Sequence, residues 1–281
     1  MMLIPGTNGE IAVRVGKALG VEPSFIQIES LPYGEKYIRI PFSVSGRVFV
    51  LNTFYPNPDE ILFESRVIGD LLKEKGAEEI VLIAPYLAYS RRGVTSIRGE
   101  AKALDSAMKI LDVYDRIIAV DFYGRSRKVE NVSAMRLLAE YVRERFDLQD
   151  VVVFGPDEIS ENWIGIFSEI LDAETAVIKK IRVDAENVVV SRINADVDGR
   201  DVVIADDIIA TGATVVQSAK KLKSMGARRI IVTATHALFG KENFGEILKS
   251  GIEDIIATDT VLSPVSRVSV ANLLSERIKD I

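Results

Sequence analysis

The sequence predicts an α/β protein built from two duplicated domains, each a mostly parallel sheet flanked by helices. Two observations carry this expectation. Short runs rich in Val and Ile alternate with segments of helical period along all 281 residues. Continuously apolar strands separated by helices belong to parallel sheets covered on both faces. The second observation is an internal match. Leu72-Lys73-Glu74-Lys75-Gly76-Ala77-Glu78-Glu79-Ile80 is answered 150 positions later by Leu222-Lys223-Ser224-Met225-Gly226-Ala227-Arg228-Arg229-Ile230. Each copy reads as a helix end, a glycine able to take the left-handed cap conformation, and entry into a buried strand. Upstream, Gly46-Arg47-Val48-Phe49-Val50 is matched in the same order by Gly199-Arg200-Asp201-Val202-Val203. Two matches in one order favour duplication over coincidence.

Element by element, apolar runs predict buried strands over 48–52, 80–84, 116–120, 151–154, 201–205, 230–234 and 255–258. Between them, apolar residues at helical spacing predict helices over 60–75, 99–111, 134–146, 159–171, 213–226 and 244–250. A chain of 281 residues is near the size at which one core stops growing, so domains are expected over 1–147 and 148–281.

Apolar residues at 48% and charged residues at 27% give a globular balance that excludes disorder. A net charge of −6 gives no sign of a nucleic-acid or anionic-membrane surface. There is no cysteine and one histidine, His236. That excludes disulfides, thiol nucleophiles and thiolate zinc sites, and leaves magnesium on oxygen ligands as the expected metal. The start, Met1-Met2-Leu3-Ile4-Pro5-Gly6, has no basic segment followed by an apolar one, and apolar runs fall far short of the roughly 20 residues that span a bilayer. A cytoplasmic protein is expected.

The sharpest motif is Val203-Ile204-Ala205-Asp206-Asp207-Ile208-Ile209-Ala210-Thr211-Gly212-Ala213-Thr214. An apolar strand ends in two carboxylates, and a loop of Thr, Gly and small residues then enters a helix. Bare amides at a helix start, with two hydroxyls, make a cradle for a phosphate. The carboxylates suit sugar hydroxyls, or a magnesium ion on that sugar. No Gly-Lys-Ser/Thr is present, so this is not a Walker loop. The alternative is an acidic strand end with Thr211 capping a helix.

This segment resembles the ribose-phosphate loop of the type I phosphoribosyltransferase fold, and further segments resemble the ribose-phosphate pyrophosphokinase (phosphoribosyl-pyrophosphate synthetase) family, archaeal branch. Leu31-Pro32-Tyr33-Gly34-Glu35 resembles its Phe-Pro-Asp-Gly-Glu nucleotide segment, and Ala84-Pro85-Tyr86-Leu87-Ala88-Tyr89-Ser90-Arg91-Arg92 its Pro-Tyr-x-x-Tyr-Ala-Arg-Gln run. Gly155-Pro156-Asp157 resembles Ser-Pro-Asp, Lys180-Ile181-Arg182 the flap Lys-x-Arg, Thr235-His236 the Thr-His and Thr258-Asp259-Thr260 the Thr-Asp-Thr. The resemblance implies two phosphoribosyltransferase-like domains and magnesium-dependent transfer of the diphosphoryl group of ATP to ribose 5-phosphate. It implies that Asp206, Asp207, Ala210, Thr211, Gly212, Ala213 and Thr214 hold ribose 5-phosphate. Lys180 and Arg182 would be catalytic, Asp157 a metal ligand, and Tyr33, Gly34, Glu35, Arg91 and Arg92 nucleotide contacts, in a homo-oligomer.

Taken without the resemblance, Lys180 and Arg182 read first as a solvated strand face, and Asp157 as either a turn residue or a site. Arg91-Arg92 reads as a surface pair, and His236 as a hydrogen-bonded histidine near a strand end. Departures fall on the nucleotide side. Tyr33 replaces an acid, Arg92 a glutamine, Gly93 an aspartate, and Phe122 stands where a magnesium-supporting histidine is expected. Three readings follow: a diphosphokinase, which is preferred; a non-catalytic ribose-phosphate-binding paralogue that regulates or joins an active synthetase; and a phosphoribosyltransferase.

Overall fold

The computed structural model describes residues 1–92, 99–155, 160–182, 188–193 and 195–281. By contacts the chain forms two compact units, Met1–Val132 with Val270–Ile281, and Ser133–Ser269.

The first unit holds strands β1 (Met2–Pro5), β2 (Gln27–Ser30), β3 (Lys36–Arg39), β4 (Arg47–Leu51), β5 (Glu79–Ala84), β6 (Arg116–Val120) and β7 (Val129–Val132). β1, β4, β5, β6 and β7 form one parallel sheet in that order, while β2 and β3 form an antiparallel hairpin of their own. Its helices are α1 (Glu10–Leu19), α2 (Pro58–Glu74), α3 (Ala103–Ile110) and, from the C-terminus, α8 (Ala271–Lys279). α2 opens with Pro58 and then Asp59 and Glu60, a proline and two acids suited to the free amides and positive end of a helix start. Val48 and Val50 pack with Ile68 and Leu72 of α2. Phe49 and Leu51 are equally buried and, by strand alternation, belong to the other face. α1 packs on α8, with Ile11, Val15, Leu274 and Ile278 buried.

The second unit holds β8 (Val152–Gly155), β9 (Glu174–Arg182), β10 (Val188–Ile193), β11 (Asp201–Ile209), β12 (Arg229–Ala237), β13 (Asp254–Thr258) and β14 (Ser266–Val268). The sheet order is β10-β9-β8-β11-β12-β13-β14, parallel throughout except for the β9–β10 pair. α4 (Met135–Arg145) and α5 (Glu161–Leu171) supply Leu138, Val142 and Phe167 to a cluster with Val203, Ile231 and Ile256. α6 (Ala213–Ser224) and α7 (Lys241–Lys249) supply Val215, Leu222 and Ile247 to the opposite face, with Val202, Ile204 and Val232. Both faces are covered, as the unbroken apolar strands require.

Without their hairpins the two sheets share one order, β1-β4-β5-β6-β7 and β8-β11-β12-β13-β14. The ladders also fix the correspondence. Val48 pairs with Ile80, and Val202 pairs with Ile230. Arg47 therefore corresponds to Asp201, and Asn52 to Asp206, one residue away from the alignment suggested by the glycines. Gly46 and Gly199 both take left-handed φ, 66° and 70°, but the second unit inserts one more residue before its strand.

Several elements depart from expectation. The expected domain boundary lies at 147/148. By contacts, α4 groups with the second unit, because its apolar face joins Val151, Val153 and Phe167, and α8 returns to the first. The expected helix over 99–111 starts only at Ala103. β11 and β12 outrun their apolar stretches and keep Asp206, Asp207, Thr235 and His236 inside the ladder. Strands β1 to β3, β7, β10 and β14, and helices α1 and α8, have no counterpart in the sequence expectation, and of β9 only the strand face of Lys180 and Arg182 does. Most of these strands are only three or four residues long, or alternate weakly. Among the described residues no helix is long and apolar enough to cross a membrane.

Candidate active site

The carboxylates of Asp206 and Asp207 lie near the carboxyl end of β11, 8% and 6% exposed. Asp206 Oδ1 accepts a hydrogen bond from the Asp207 amide at 2.9 Å. The chain then surfaces at Ala210 and Thr211 and turns through Gly212, the N-cap of α6, at φ 83° and ψ −6°. A Cβ at Gly212 would lie 2.5 Å from Ile247 Cδ1, so both backbone and packing demand glycine. The Ala213 amide donates to Thr211 Oγ1 at 3.4 Å, a long contact that leaves it turned toward the loop. Ala213 is exposed and Thr214 half-buried. Helix-start amides have no intrahelical acceptors, and the helix dipole adds positive potential. The arrangement can hold a phosphate at α6 and hydroxyl groups at the carboxylates.

The opposite ends of these strands are closed by ion pairs. Arg228 forks onto Asp201 with contacts of 2.8 and 2.5 Å, and Arg229 meets Glu253 at 2.6 Å. Burial pushes the Asp201 carboxyl up, but the Arg228 fork and the Gln149 amide outweigh it and hold it below the usual carboxylate range. Beside β11, the ends of β12 and β13 carry a buried hydroxyl cluster. Thr258 and Thr260 donate to the Thr235 carbonyl at 2.7 and 2.9 Å, and His236 Nδ1 lies 2.8 Å from Thr260 Oγ1. Ser269 donates to Asp259 Oδ2 at 2.7 Å.

Lys180 and Arg182 are alternate residues of β9, paired with Val190 and Val188 of β10. Alternate residues of a strand share a face. Residues 183–187, between these strands in the chain, lie outside the described residues, as do Asp157 and Gly93 and the side chains of Lys180, Arg182 and Arg92. Among the described residues, no group of three or more His, Cys, Asp or Glu side chains could hold a metal ion.

The nucleotide-side expectations fall in the first unit. Tyr33, Gly34 and Glu35 form the tip of the β2–β3 hairpin, closed by Gly34 N to Leu31 O at 2.9 Å and Leu31 N to Glu35 O at 2.8 Å. Gly34 has φ 91°, and Tyr33 is 72% exposed. Arg91 is exposed in a single 3₁₀ turn, Ser90–Arg92. Tyr89 just before it takes φ 64° and donates its hydroxyl to Asp59 Oδ1. That bond to a carboxylate, and then burial, push its phenol up to about 12.

The reading of Phe122 needs correction. Its ring is 7% exposed and belongs to the first unit's core. A Cβ on Gly124 would lie 2.4 Å from Phe122 Cζ and 2.7 Å from Leu104 Cδ2, which shows how tightly that ring is enclosed. Phe122 is a packing residue, and the next side chain, Tyr123, is the one that meets solvent, at 39% exposed.

A buried polar network at the ends of β1 and β4 escaped the sequence reading. Glu64, 0% exposed, accepts from the Thr7 amide at 2.9 Å, the Thr7 hydroxyl and Asn52 Nδ2 at 3.0 Å. Asn8 Nδ2 donates to the Thr53 carbonyl at 3.0 Å and to that of Tyr55. Lys36 Nζ lies 2.6 Å from Glu60 and 3.7 Å from Glu64, beside a cavity of about 90 Å³. The Lys36 hydrogen bond, then its charge, hold the Glu60 carboxyl below its usual value. The available signal was an acid in an apolar stripe, since Ile61, Glu64, Ile68 and Leu72 share one helical face.

Comparison with known proteins finds a family match in each part of the chain. Residues 1–110 match the family described as the N-terminal domain of ribose phosphate pyrophosphokinase, and residues 128–250 match the phosphoribosyl transferase domain. Ribose-phosphate pyrophosphokinase 1 of Archaeoglobus fulgidus is 39% identical, over 99% of this chain and 99% of the relative. The ribose-phosphate pyrophosphokinase of Methanopyrus kandleri is 34% identical, over 100% of this chain and 99% of the relative. The crystal structure of phosphoribosylpyrophosphate synthetase from Mycobacterium smegmatis superposes with a TM-score of 0.88 at 27% identity, covering 99% and 97% of the two chains. With sequence, fold and duplicated sheet order in agreement, the chain belongs to the ribose-phosphate pyrophosphokinase family.

Proposed function

We propose that the protein is a ribose-phosphate diphosphokinase. The C1 hydroxyl oxygen of ribose 5-phosphate attacks the β-phosphorus of ATP, the bond from that phosphorus to the α-phosphate oxygen breaks, and the products are 5-phosphoribosyl 1-diphosphate, AMP and a proton. The observation that carries this reading is the β11–α6 loop. Two nearly buried carboxylates are followed by an exposed Thr211 and a left-handed Gly212 that opens a helix. The 5-phosphate sits on the amides of Ala213 and Thr214 and the hydroxyls of Thr211 and Thr214, with Asp206 and Asp207 accepting from the ribose hydroxyls.

Lys180 and Arg182, alternate residues of β9, supply two cations to the transferring group, where they act most strongly on charge that develops in the transition state. Tyr33, Gly34, Glu35, Arg91 and Arg92 contact ATP. The donor chemistry suits magnesium. The candidate ligands are carboxylates, there is no cysteine, and the single histidine is tied to Thr260. Magnesium keeps several waters and needs only one or two carboxylates beside substrate phosphates. Asp157, with the Asp206–Asp207 pair, would hold it, and bound magnesium supplies neutralisation of the triphosphate. The active form is a cytoplasmic homo-oligomer.

One observation favours a second reading. Tyr33, largely exposed at the hairpin tip, carries a phenol where the family segment has an acid. That suits a paralogue that binds ribose phosphate without turnover. A single assay separates these readings: purified protein with ATP, magnesium and ribose 5-phosphate, with AMP and phosphoribosyl diphosphate measured. Both products in equal amount support the diphosphokinase. Ribose 5-phosphate binding without product supports the paralogue, and reaction only from phosphoribosyl diphosphate plus a base supports a phosphoribosyltransferase.

A further inference from the structure

Neighbouring acids at the start of α2 reach two different segments of the first unit. Glu60 takes Lys36 at 2.6 Å, and Lys36 is the residue directly after the Tyr33-Gly34-Glu35 tip. Its ammonium is drawn inward, with the side chain only 10% exposed and fully buried Glu64 3.7 Å away. Asp59 takes the hydroxyl of Tyr89, two residues before Arg91. Successive helix residues point about 100° apart, so one turn can hold two segments at once.

Each tethered segment needs support. The β2–β3 pair is a separate two-stranded sheet, and such hairpins are marginal alone in water. Ile28 and Ile38 pack it on the core, but its tip residues 32–35 are exposed. Tyr89 holds a left-handed backbone, φ 64°, that a bulky side chain resists. Its phenolic bond to Asp59 fixes that conformation at the entrance to the Arg91 turn.

We propose that Asp59 and Glu60, acting through Tyr89 and Lys36, are positioning residues that hold the Glu35 tip and the Arg91 turn in one frame for nucleotide binding. The inference rests on the reading that Glu35 and Arg91 contact ATP. These side chains touch the segments and not the nucleotide, so removing one loosens its segment and weakens ATP before it weakens ribose 5-phosphate.

The test compares Lys36→Met, Lys36→Arg, Glu60→Gln, Tyr89→Phe and Asp59→Asn with the parent. Direct-contact controls are Glu35→Gln and Arg91→Ala. Calorimetry with magnesium–ATP and with ribose 5-phosphate is run beside amide hydrogen exchange. Lys36→Met and Glu60→Gln should speed exchange over 31–36, and Tyr89→Phe and Asp59→Asn over 86–91. Each should weaken ATP about three- to tenfold and leave ribose 5-phosphate within about twofold, the scale of one lost hydrogen bond or ion pair. Lys36→Arg should stay near the parent. Should Lys36→Met fail to fold, Glu60→Gln, on a carboxylate that is 44% exposed, cuts the same tether more gently. Unchanged exchange overturns the proposal. So does faster exchange with ATP affinity kept while Glu35→Gln and Arg91→Ala lose it, or an equal loss of both substrates. If Glu35→Gln and Arg91→Ala also leave ATP affinity intact, the reading of the nucleotide segments itself falls, and the proposal with it.

Discussion

Replacing Gly212 by alanine isolates the two demands that the phosphate loop makes on one residue. The first is conformational. At φ 83°, an L-residue costs about 1–2 kcal/mol relative to glycine. The second is steric, because the new Cβ lies 2.5 Å from Ile247 Cδ1 and 2.7 Å from Cγ1. Ile247 is 1% exposed, so its side chain cannot swing into solvent, and overpacking of this kind costs about 1–3 kcal/mol. The second unit should therefore lose about 2–5 kcal/mol, or the loop should shift and release part of that cost by spoiling the phosphate cradle. Urea unfolding reads the first outcome and calorimetry with ribose 5-phosphate the second. The double variant Gly212→Ala, Ile247→Ala separates the causes. Beyond its own cavity cost, it should recover the steric share of the coupling and leave the conformational share. Parent-like stability with parent-like ribose 5-phosphate affinity in Gly212→Ala would refute the reasoning. Strict additivity in the double variant would remove the Ile247 contact from it.

Asp206→Ala and Thr211→Val should each weaken ribose 5-phosphate by about 1–3 kcal/mol by calorimetry, with little change in ligand-free stability, because these groups serve the ligand. Lys180→Ala and Arg182→Ala should lower kcat by about two to four orders of magnitude with both substrates still bound, and a pure rise in KM would contradict the transition-state role. Phe122→His should lose about 2–4 kcal/mol in denaturant unfolding and leave any magnesium dependence unimproved, because the ring is core; Tyr123→His is the variant placed to reach a ligand. Asp201→Asn should cost about 2 kcal/mol, less than a fully buried pair, because Arg228 is 40% exposed. The Asp201 carboxyl is held low in the folded state. Its stabilisation is therefore present above the unfolded value of about 3.9 and fades as pH falls through the lower folded value, and unfolding curves of the parent should steepen there while those of Asp201→Asn do not.

The sheets were legible because buried parallel strands must be apolar on both faces, and runs such as 80–84 and 116–120 have no other use. The motif around Asp206 was legible for a related reason: two acids at the end of such a run make little sense as packing. Chemistry that depends on contacts distant in sequence was not legible. Glu64 reaches Thr7 across 57 residues, and no local pattern announces that pairing. Lys36 belongs to no motif, and nothing near it in the chain marks an ammonium that turns inward to Glu60 and Glu64. Phe122 was misplaced for the opposite reason, since a motif comparison ranks positions by order and cannot tell which of two adjacent aromatics turns inward.

The duplicated ladder sets the strand ends of the two units side by side for comparison. Strand pairing sets Asn52 where the second unit has Asp206. In the second unit the carboxylates sit on the strand and a left-handed glycine opens the next helix. In the first, the order is inverted. The strand end offers an amide, and the carboxylate comes from the helix, where Glu64 takes Asn52 Nδ2 at 3.0 Å and the Thr7 amide at 2.9 Å. A Cβ on Gly6 would lie 2.4 Å from Asn52 Nδ2, so the neighbouring loop closes directly over that side chain. The polar groups that could receive a ligand are spent on one another. A charge buried this deeply persists only when its hydrogen bonds are made, which commits the first unit's strand end to structure. Its outward-facing acids, Asp59 and Glu60, remain available to hold segments in place. The same kinds of side chain thus stand beside an open helix start in the second unit and are locked to one another in the first.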